Sequence, residues 1–147
     1  MLTDIYTYEI KTERLLLRPM TVADTDAVWK WVSDERVARY MVYPTYTDKE
    51  KLREWLRSIE EFDGEYHFGY VRLSDNELIV SGSIGPSSQK EGFWGFGITH
   101  FCSSHVEPNL ASGHVMEKCG LYFTGYGEFE KLDGSCKARS MEYDGIL

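Results

Sequence analysis

The sequence predicts an α/β protein with a mixed α+β sheet, and three patterns along the chain support that fold class. Apolar residues recur at helical spacing after Thr47, which predicts an amphipathic helix. Short β-rich segments separated by turn residues begin at Tyr66, which predicts an antiparallel meander. The last third of the chain then has the pattern of a strand, a helix and two further strands.

The composition fits one compact domain, residues 1–147, and limits the classes of partner. The 147 residues are 42% hydrophobic and 14% aromatic, which is too much apolar material for a disordered chain. The formal net charge of -8 disfavours a nucleic acid partner, and no apolar run reaches the roughly 20 residues that cross a bilayer. Since there is no signal-peptide pattern and the three cysteines have no paired spacing, we expect a cytoplasmic protein with reduced thiols and no membrane partner.

The N-terminal part predicts one strand and one helix. The segment from Ile10 to Arg18 alternates and then becomes apolar, and Pro19 ends it because proline cannot donate to a sheet ladder. Thr21 and Asp24 have capping-box spacing, and apolar residues follow on one helical face. We therefore predict a helix that runs from there to about Ser33.

A second helix is predicted by a capping box formed by Thr47 and Glu50. Four apolar residues follow at the i, i+3, i+4, i+7 spacing of a single stripe, namely Leu52, Trp55, Leu56 and Ile59. This helix is predicted to end near Gly64.

The rest of the chain predicts six strands and one helix. The strands run from Tyr66 to Leu73, Leu78 to Ile84, Gly92 to Ile98, Phe101 to Val106, Leu121 to Glu130 and Lys137 to Tyr143. Turn residues separate the first two and the last two of these strands. The helix is opened by Pro108 and Asn109 and closed by Gly120.

The junction between the strand that ends at Val106 and the last helix is the first candidate site. Asn109 and Ser112 lie where the first backbone N–H groups of the helix have no partner within the helix. A purely structural helix cap, with Asn109 as the N-cap and Ser112 in the first turn, is therefore one interpretation. The same geometry offers polar side chains and free N–H groups to an extended, polar or anionic ligand. From the residues alone, both interpretations stay open.

Three other groups of residues have weaker functional interpretations. His100, Cys102 and His105 include two metal-binding residue types, but in a strand the last of them points to the opposite face, so we expect no metal site. The glycine-spaced aromatic run from Gly92 to Gly97 is either a ligand approach or a packed core strand, and the core is favoured. Acidic residues near the helix ends could attract a cationic amine, although a solvated helix face is favoured. These acids are Asp34, Glu35, Glu60, Glu61, Asp63 and Glu65.

Two motifs carry a resemblance to a known family. The segment from Thr12 to Pro19 has the sequence TERLLLRP, and the segment from Asn109 to Leu121 combines N-x-x-S with a terminal EKCGL. Together they resemble the GNAT superfamily of N-acetyltransferases, and most closely its branch that acetylates protein N-termini, including those of ribosomal proteins. The order of elements agrees with that fold across nearly the whole chain, so the resemblance implies a GNAT-like fold.

The resemblance implies transfer of an acetyl group from acetyl-CoA to a primary amine, by direct attack and without a metal. It places Asn109 against the pantetheine arm of the cofactor, with Ser112 near its sulfur. The backbone of Phe96, Gly97 and Ile98 would bind the pantetheine amides. Many superfamily members use a tyrosine seven residues after the asparagine. Because Met116 stands there, Ser112 is the better candidate for the general acid.

The sequence departs from the family pattern at one place, which predicts an internally truncated fold. The Q/R-x-x-G-x-G/A loop and the long helix that bind the CoA pyrophosphate are missing, and Ile98 runs directly into the next strand. Since parallel neighbours need a crossover of about a dozen residues, the segment from Gly92 to Val106 is either one long or bent strand or an exchanged pair between two copies. We therefore expect homo-oligomerisation through this region.

The missing loop leaves two further hypotheses beside the enzyme. One is a catalytically inactive GNAT-derived binding or interaction module, which keeps the N-x-x-S half of the cleft but lacks the pyrophosphate site. The other is a structural fragment that is stable only as an oligomer.

Overall fold

The computed structural model describes residues 9–61, 65–85 and 100–146, and the chain forms two compact units. The first unit contains residues 9–34 and 46–85 of these, and the second contains residues 35–45 and 100–146. The single domain over residues 1–147 stays a prediction. None of the helices in the described part of the chain is both long and apolar enough to cross a membrane.

The described elements are seven strands and four helices. The strands are β1 (Ile10–Lys11), β2 (Leu15–Pro19), β3 (Tyr66–Arg72), β4 (Glu77–Ile84), β5 (His100–Val106), β6 (Tyr122–Glu130) and β7 (Lys137–Ile146). The helices are α1 (Thr25–Val32), α2 (Glu35–Ala38), α3 (Lys49–Glu60) and α4 (Leu110–Lys118), and a short 3₁₀ turn, Val22–Asp24, precedes α1. The predicted strand from Gly92 to Ile98 lies outside the described residues.

The first unit is built on a four-stranded antiparallel sheet with the order β1-β2-β3-β4. The sequence predicted one continuous strand where β1 and β2 stand, and that prediction is wrong. Thr12 causes the break, because its backbone N–H donates to the carbonyl of Leu15 at 2.8 Å and its hydroxyl oxygen accepts the Leu15 N–H at 3.0 Å. This tight turn folds the segment back on itself as a short hairpin.

The helices α1 and α3 supply much of the core of the first unit. Leu52 and Leu56 on α3 are fully buried, and Val28 on α1 is 1% exposed. Burying such a side chain stabilises the fold by about 1.5–3 kcal/mol. The predicted stripe on α3 is therefore confirmed, with Leu52, Leu56 and Ile59 buried and Trp55 half-buried. The predicted cap at Thr47 is wrong, because the carboxylate of Asp48 accepts the Glu50 N–H at 2.9 Å.

The predicted pairing of Thr21 with Asp24 is confirmed at the start of the 3₁₀ turn. The backbone N–H of Thr21 donates to the Asp24 carboxylate at 2.9 Å, and Arg18 donates to the same carboxylate at 2.7 and 2.9 Å. Burial acts to raise the pKa of Asp24, but the bonds from Arg18 and from the Thr21 backbone outweigh it and hold the pKa below its usual value. This ion pair joins the end of β2 to the turn that begins the helical segment.

The second unit is built on a three-stranded antiparallel sheet with the order β5-β7-β6. Its register pairs Val106, the last residue of β5, with Ser140 near the beginning of β7. The helix α4 follows β5 and ends where the sequence predicted. Gly120 adopts a φ of +85°, and the N–H groups of Gly120 and Leu121 donate to Glu117 and Met116 at 3.0 Å. The end of β5 and the beginnings of α4 and β7 therefore share one end of this sheet.

Candidate active site

The β5–α4 junction gives the candidate site its backbone frame. The N–H of Asn109 donates to the carbonyl of Val106 at 2.8 Å, and the N–H of Ser112 donates to the carbonyl of Asn109 at 3.1 Å. Pro108 has no N–H to donate, so it suits the residue between the strand and the helix. The result is a tight connection that fixes Asn109 directly before the first turn of α4.

Asn109 and Ser112 are brought together as the sequence predicted, but not by the expected capping bond. Asn109 occupies the N-cap position, yet its side chain caps no helix amide. Its Nδ2 instead donates to Ser112 Oγ at 2.9 Å. Asn109 is therefore the N-cap residue by position but makes no side-chain capping bond, and both the structural and the functional interpretation stay open. The amide occupies a lone pair of the hydroxyl oxygen, so the hydroxyl hydrogen of Ser112 is left for another acceptor.

The first turn of α4 is accessible and carries no carboxylate. Leu110, its first residue, is 63% exposed, and Asn109 and Ser112 are half-buried. Since the turn has no acidic residue and Lys118 lies in the last turn, the partial positive charge of the helix N-terminus is not neutralised from within the helix. The start of α4 can therefore favour a negative charge that develops beside Ser112.

Glu107 and Arg139 tie this junction to β7. The guanidinium of Arg139 donates to both carboxylate oxygens of Glu107, at 2.9 and 2.5 Å, and the Glu107 N–H donates to the Arg139 carbonyl at 2.9 Å. Hydrogen bonding from Arg139 holds the pKa of the Glu107 carboxyl below its usual value. Arg139 also lies over the ring of Tyr126 at 4.2 Å. The turn before Asn109 is thus held in place from the neighbouring strand.

A buried pair of rings supports the first turn of α4, and the sequence reasoning did not identify it. His105 is 7% exposed and Tyr143 is 3% exposed, and their ring centroids are 5.5 Å apart. His105 Nδ1 lies 2.8 Å from the Val106 carbonyl and so carries the proton, while its Nε2 has no hydrogen-bond partner among the residues that the structure describes. A Cβ at Gly113 would lie 2.9 Å from His105 Nε2 and 3.1 Å from Tyr143 Oη. Gly113 is therefore the residue that lets α4 approach these rings.

The other sequence candidates either lie outside the described residues or have structural contacts. Phe96, Gly97 and Ile98 lie outside the described residues, as do the aromatic run and Asp63, so their roles stay predictions. His100 lies 3.3 Å from the Asp144 carboxylate, whereas His105 is buried against α4. Of the acidic set, Glu60 accepts the Val22 N–H at 2.5 Å, which is a structural role.

Known proteins resemble this chain in both sequence and fold. The family model for the acetyltransferase (GNAT) domain matches residues 14–99, which is more than half of the chain. A Bacillus licheniformis protein named uncharacterized N-acetyltransferase p20 is 29% identical over 84 residues, which are 55% of this chain and 47% of that relative. The match therefore spans about half the length of that relative.

Solved structures of acetyltransferases have the same fold. A GNAT-family acetyltransferase from Bacillus anthracis matches with a TM-score of 0.72 and 20% identity, over 95% of this chain and 98% of that one. An acetyltransferase from Salmonella typhimurium, described as modifying the N-terminal serine of a 50S ribosomal subunit protein, matches with a TM-score of 0.71 and 16% identity, over 95% and 99% of the two chains. The predicted mixed α+β fold class and the predicted resemblance are confirmed, whereas the internal truncation stays a prediction, and the chain belongs to the GNAT acetyltransferase family.

Proposed function

We propose that this chain transfers an acetyl group from acetyl-CoA to a primary amine, by direct attack and without a metal. The acceptor is a protein N-terminus or a small-molecule amine. The observation that carries the proposal is the 2.9 Å hydrogen bond from Asn109 Nδ2 to Ser112 Oγ. Because this bond leaves the hydroxyl hydrogen free to donate outward, Ser112 is suited to act as the general acid.

Acetyl-CoA supplies the acetyl group as an activated thioester. In the proposed step the amine nitrogen bonds to the carbonyl carbon, the carbon–sulfur bond breaks, and its electron pair stays on sulfur. Ser112 Oγ donates its proton to that sulfur, and the proton lost by the nitrogen returns to the hydroxyl through solvent. The products are an amide and a thiol, so the protons balance.

The start of α4 would assist this step electrostatically. The partial positive charge of a helix N-terminus stabilises a nearby anion by about 0.3–1 kcal/mol. The absence of acids from the first turn keeps that contribution available to a departing thiolate. Asn109 would hold the pantetheine arm, together with the backbone of Phe96, Gly97 and Ile98. The sequence does not match the Q/R-x-x-G-x-G/A pattern of the pyrophosphate loop in related enzymes.

The unmatched loop pattern favours a second candidate, a catalytically inactive GNAT-derived binding or interaction module that lacks the CoA pyrophosphate site and does not transfer an acetyl group. Equilibrium binding of acetyl-CoA by calorimetry separates the two functions. A dissociation constant in the low micromolar range, roughly -8 kcal/mol, is expected of a working acetyl-donor site. If millimolar acetyl-CoA gives no binding heat and mass spectrometry finds no acetylated peptide, the enzyme hypothesis is wrong and the inactive module is favoured.

A further inference from the structure

A single peptide group at the end of β5 fixes the start of the turn that leads into α4. It joins Val106 to Glu107, and three hydrogen bonds hold it. Its carbonyl accepts the Asn109 N–H at 2.8 Å and the His105 Nδ1–H at 2.8 Å. Its N–H donates to the Arg139 carbonyl at 2.9 Å. Because both carbonyl lone pairs and the N–H are used, this peptide group cannot rotate without breaking a bond.

Of these three bonds, the one from His105 comes from a side chain. The histidine is 7% exposed, and its ring bonds to the carbonyl of the residue that directly follows it. A carbonyl oxygen can only accept, so the ring proton lies on Nδ1 and Nε2 keeps its lone pair. At this position the histidine therefore acts as a hydrogen-bond donor to the backbone.

The other nitrogen of the same ring faces α4. A Cβ at Gly113 would lie 2.9 Å from His105 Nε2, so the helix approaches the ring at the residue directly after Ser112. The ring of Tyr143 packs beside it from β7, with 5.5 Å between the ring centroids. The His105 ring therefore lies against both ends of the Asn109–Ser112 turn.

The unpartnered Nε2 of His105 argues against a role in packing alone. It has no hydrogen-bond partner among the residues that the structure describes. A buried polar atom without a partner destabilises a fold. A leucine would fill a similar volume without that destabilisation, so packing does not explain a histidine here. The property that leucine lacks is the N–H donor at Nδ1.

We propose that His105 is a positioning residue for Ser112. Its Nδ1–H holds the Val106 carbonyl, and the same carbonyl holds the backbone N–H of Asn109. The Asn109 side chain in turn donates to Ser112 Oγ at 2.9 Å. His105 thereby sets the direction in which the serine hydroxyl can donate, without touching the reacting atoms itself. This inference rests on the proposed function, and it adds to the general acid a residue outside the N-x-x-S motif.

Two substitutions at His105 separate positioning from packing. His105→Asn keeps an N–H donor, because the amide nitrogen of asparagine is bonded to Cγ as Nδ1 is, but it leaves a space beneath α4. His105→Leu fills more of that space and removes the unpartnered acceptor, but it cannot donate to the Val106 carbonyl. We therefore expect the leucine variant to have the higher melting temperature of the two. His114→Leu, at an exposed position on α4, is the control.

The transfer rate and the protection of the turn should follow the opposite order. In a single turnover of acetyl-CoA with a peptide that has a free N-terminal amine, His105→Leu should be about tenfold slower than wild type, because the general acid is misplaced. His105→Asn should restore most of that rate. Hydrogen exchange followed by NMR should be several times faster at the Asn109 amide in the leucine variant, and close to wild type in the asparagine variant. His114→Leu should match the wild type in both measurements.

The outcomes separate this proposal from the proposed function. A leucine variant with the wild-type rate, or an asparagine variant as slow as the leucine variant, would overturn the proposal even if acetyl transfer is observed. Equal exchange at the Asn109 amide in all variants would also overturn it. If the wild type transfers no acetyl group, the proposed function fails, and the order of exchange rates then decides by itself whether His105 holds the turn.

Discussion

Asn109 donates to Ser112 through its side-chain NH₂ group, and the direction of that bond decides what the serine can do. A hydroxyl that accepts from an amide keeps its own hydrogen for another acceptor. A hydroxyl that instead donates to a neighbouring carboxylate has its hydrogen engaged in that bond, so it cannot donate to a substrate atom. The chemistry of Ser112 therefore depends on whether residue 109 is a donor or an acceptor.

Asn109→Asp tests this dependence, because the substitution keeps the shape and reverses the hydrogen bond. We expect turnover to fall by tenfold to several hundredfold, the range of a lost general acid. Asn109→Ala frees the hydroxyl and should weaken acetyl-CoA binding more than it slows turnover. Because the Asn109 side chain caps no helix amide, the alanine variant should keep a nearly unchanged melting temperature. Equal turnover of the aspartate variant and the wild type would contradict the account of this bond.

Gly113→Ala tests the close approach of α4 to the two buried rings. The added Cβ would meet His105 Nε2 at 2.9 Å and Tyr143 Oη at 3.1 Å, so we expect a loss of about 1–3 kcal/mol from crowding. In a His105→Ala background the same substitution should be neutral or stabilising, since alanine exceeds glycine in helix propensity by about 1 kcal/mol. Urea unfolding of the four variants measures this coupling. Additive effects would show that His105 does not restrict Gly113.

The carboxyl of Asp24 predicts how stability depends on pH. A carboxyl whose pKa is lowered in the fold contributes fully above its unfolded pKa of about 4, and the contribution is lost as pH falls through the folded pKa. Asp24→Asn should therefore lower the free energy of unfolding by about 1–3 kcal/mol at pH 7, and by progressively less below pH 4. Asp26→Asn is the control, because Asp26 pairs with Lys49 while its side chain is 84% exposed. If the difference in the free energy of unfolding between wild type and Asp24→Asn does not narrow below pH 4, the prediction is wrong.

Among the elements, the loop after α2 depends on one side chain from a distant hairpin. Lys131→Met removes three bonds to backbone carbonyls, and we expect a loss of about 2–3 kcal/mol in the free energy of unfolding. Lys137→Met is the matched control, because Lys137 is 74% exposed in its ion pair with Glu130 and should change stability little. Similar losses in both variants would argue against Lys131 as the anchor of this loop.

The elements that follow strong local rules were predictable from sequence. The apolar stripe of α3 and the closing glycine of α4 depend on spacing and backbone geometry within one helix, and both are confirmed. The break between β1 and β2 was missed, because it depends on the Thr12 side chain bonding across a turn rather than on hydrophobic pattern. The four residues of α2 are too few for periodicity to reveal them.

The site was predictable in part, and the reason lies in sequence distance. Asn109 and Ser112 are three residues apart, so a motif could place them together. Lys131 bonds to a carbonyl 93 residues away, and no local pattern reports such a contact. His105 and Tyr143 are likewise joined only by the register of β5 against β7. A histidine directly before the last residue of a predicted strand is a signal that could be sought in advance.

At the scale of the whole molecule, the predicted association through Gly92 to Val106 stays a prediction. Within the described residues β5 is an edge strand, with β7 on one side. An unpaired strand edge presents backbone donors and acceptors to another chain, which is consistent with strand pairing between copies. Residues 92–99 of the segment lie outside the described part of the chain.

The central claim, acetyl transfer with Ser112 as the general acid, is tested most directly by Ser112→Ala. Thiol release from acetyl-CoA is followed in a single turnover with a peptide that has a free N-terminal amine, and acetyl-CoA affinity is measured on the same preparations. Because an acid acts on charge that develops only in the transition state, we predict a rate lower by tenfold to several hundredfold with nearly unchanged affinity. An unchanged single-turnover rate would contradict the account.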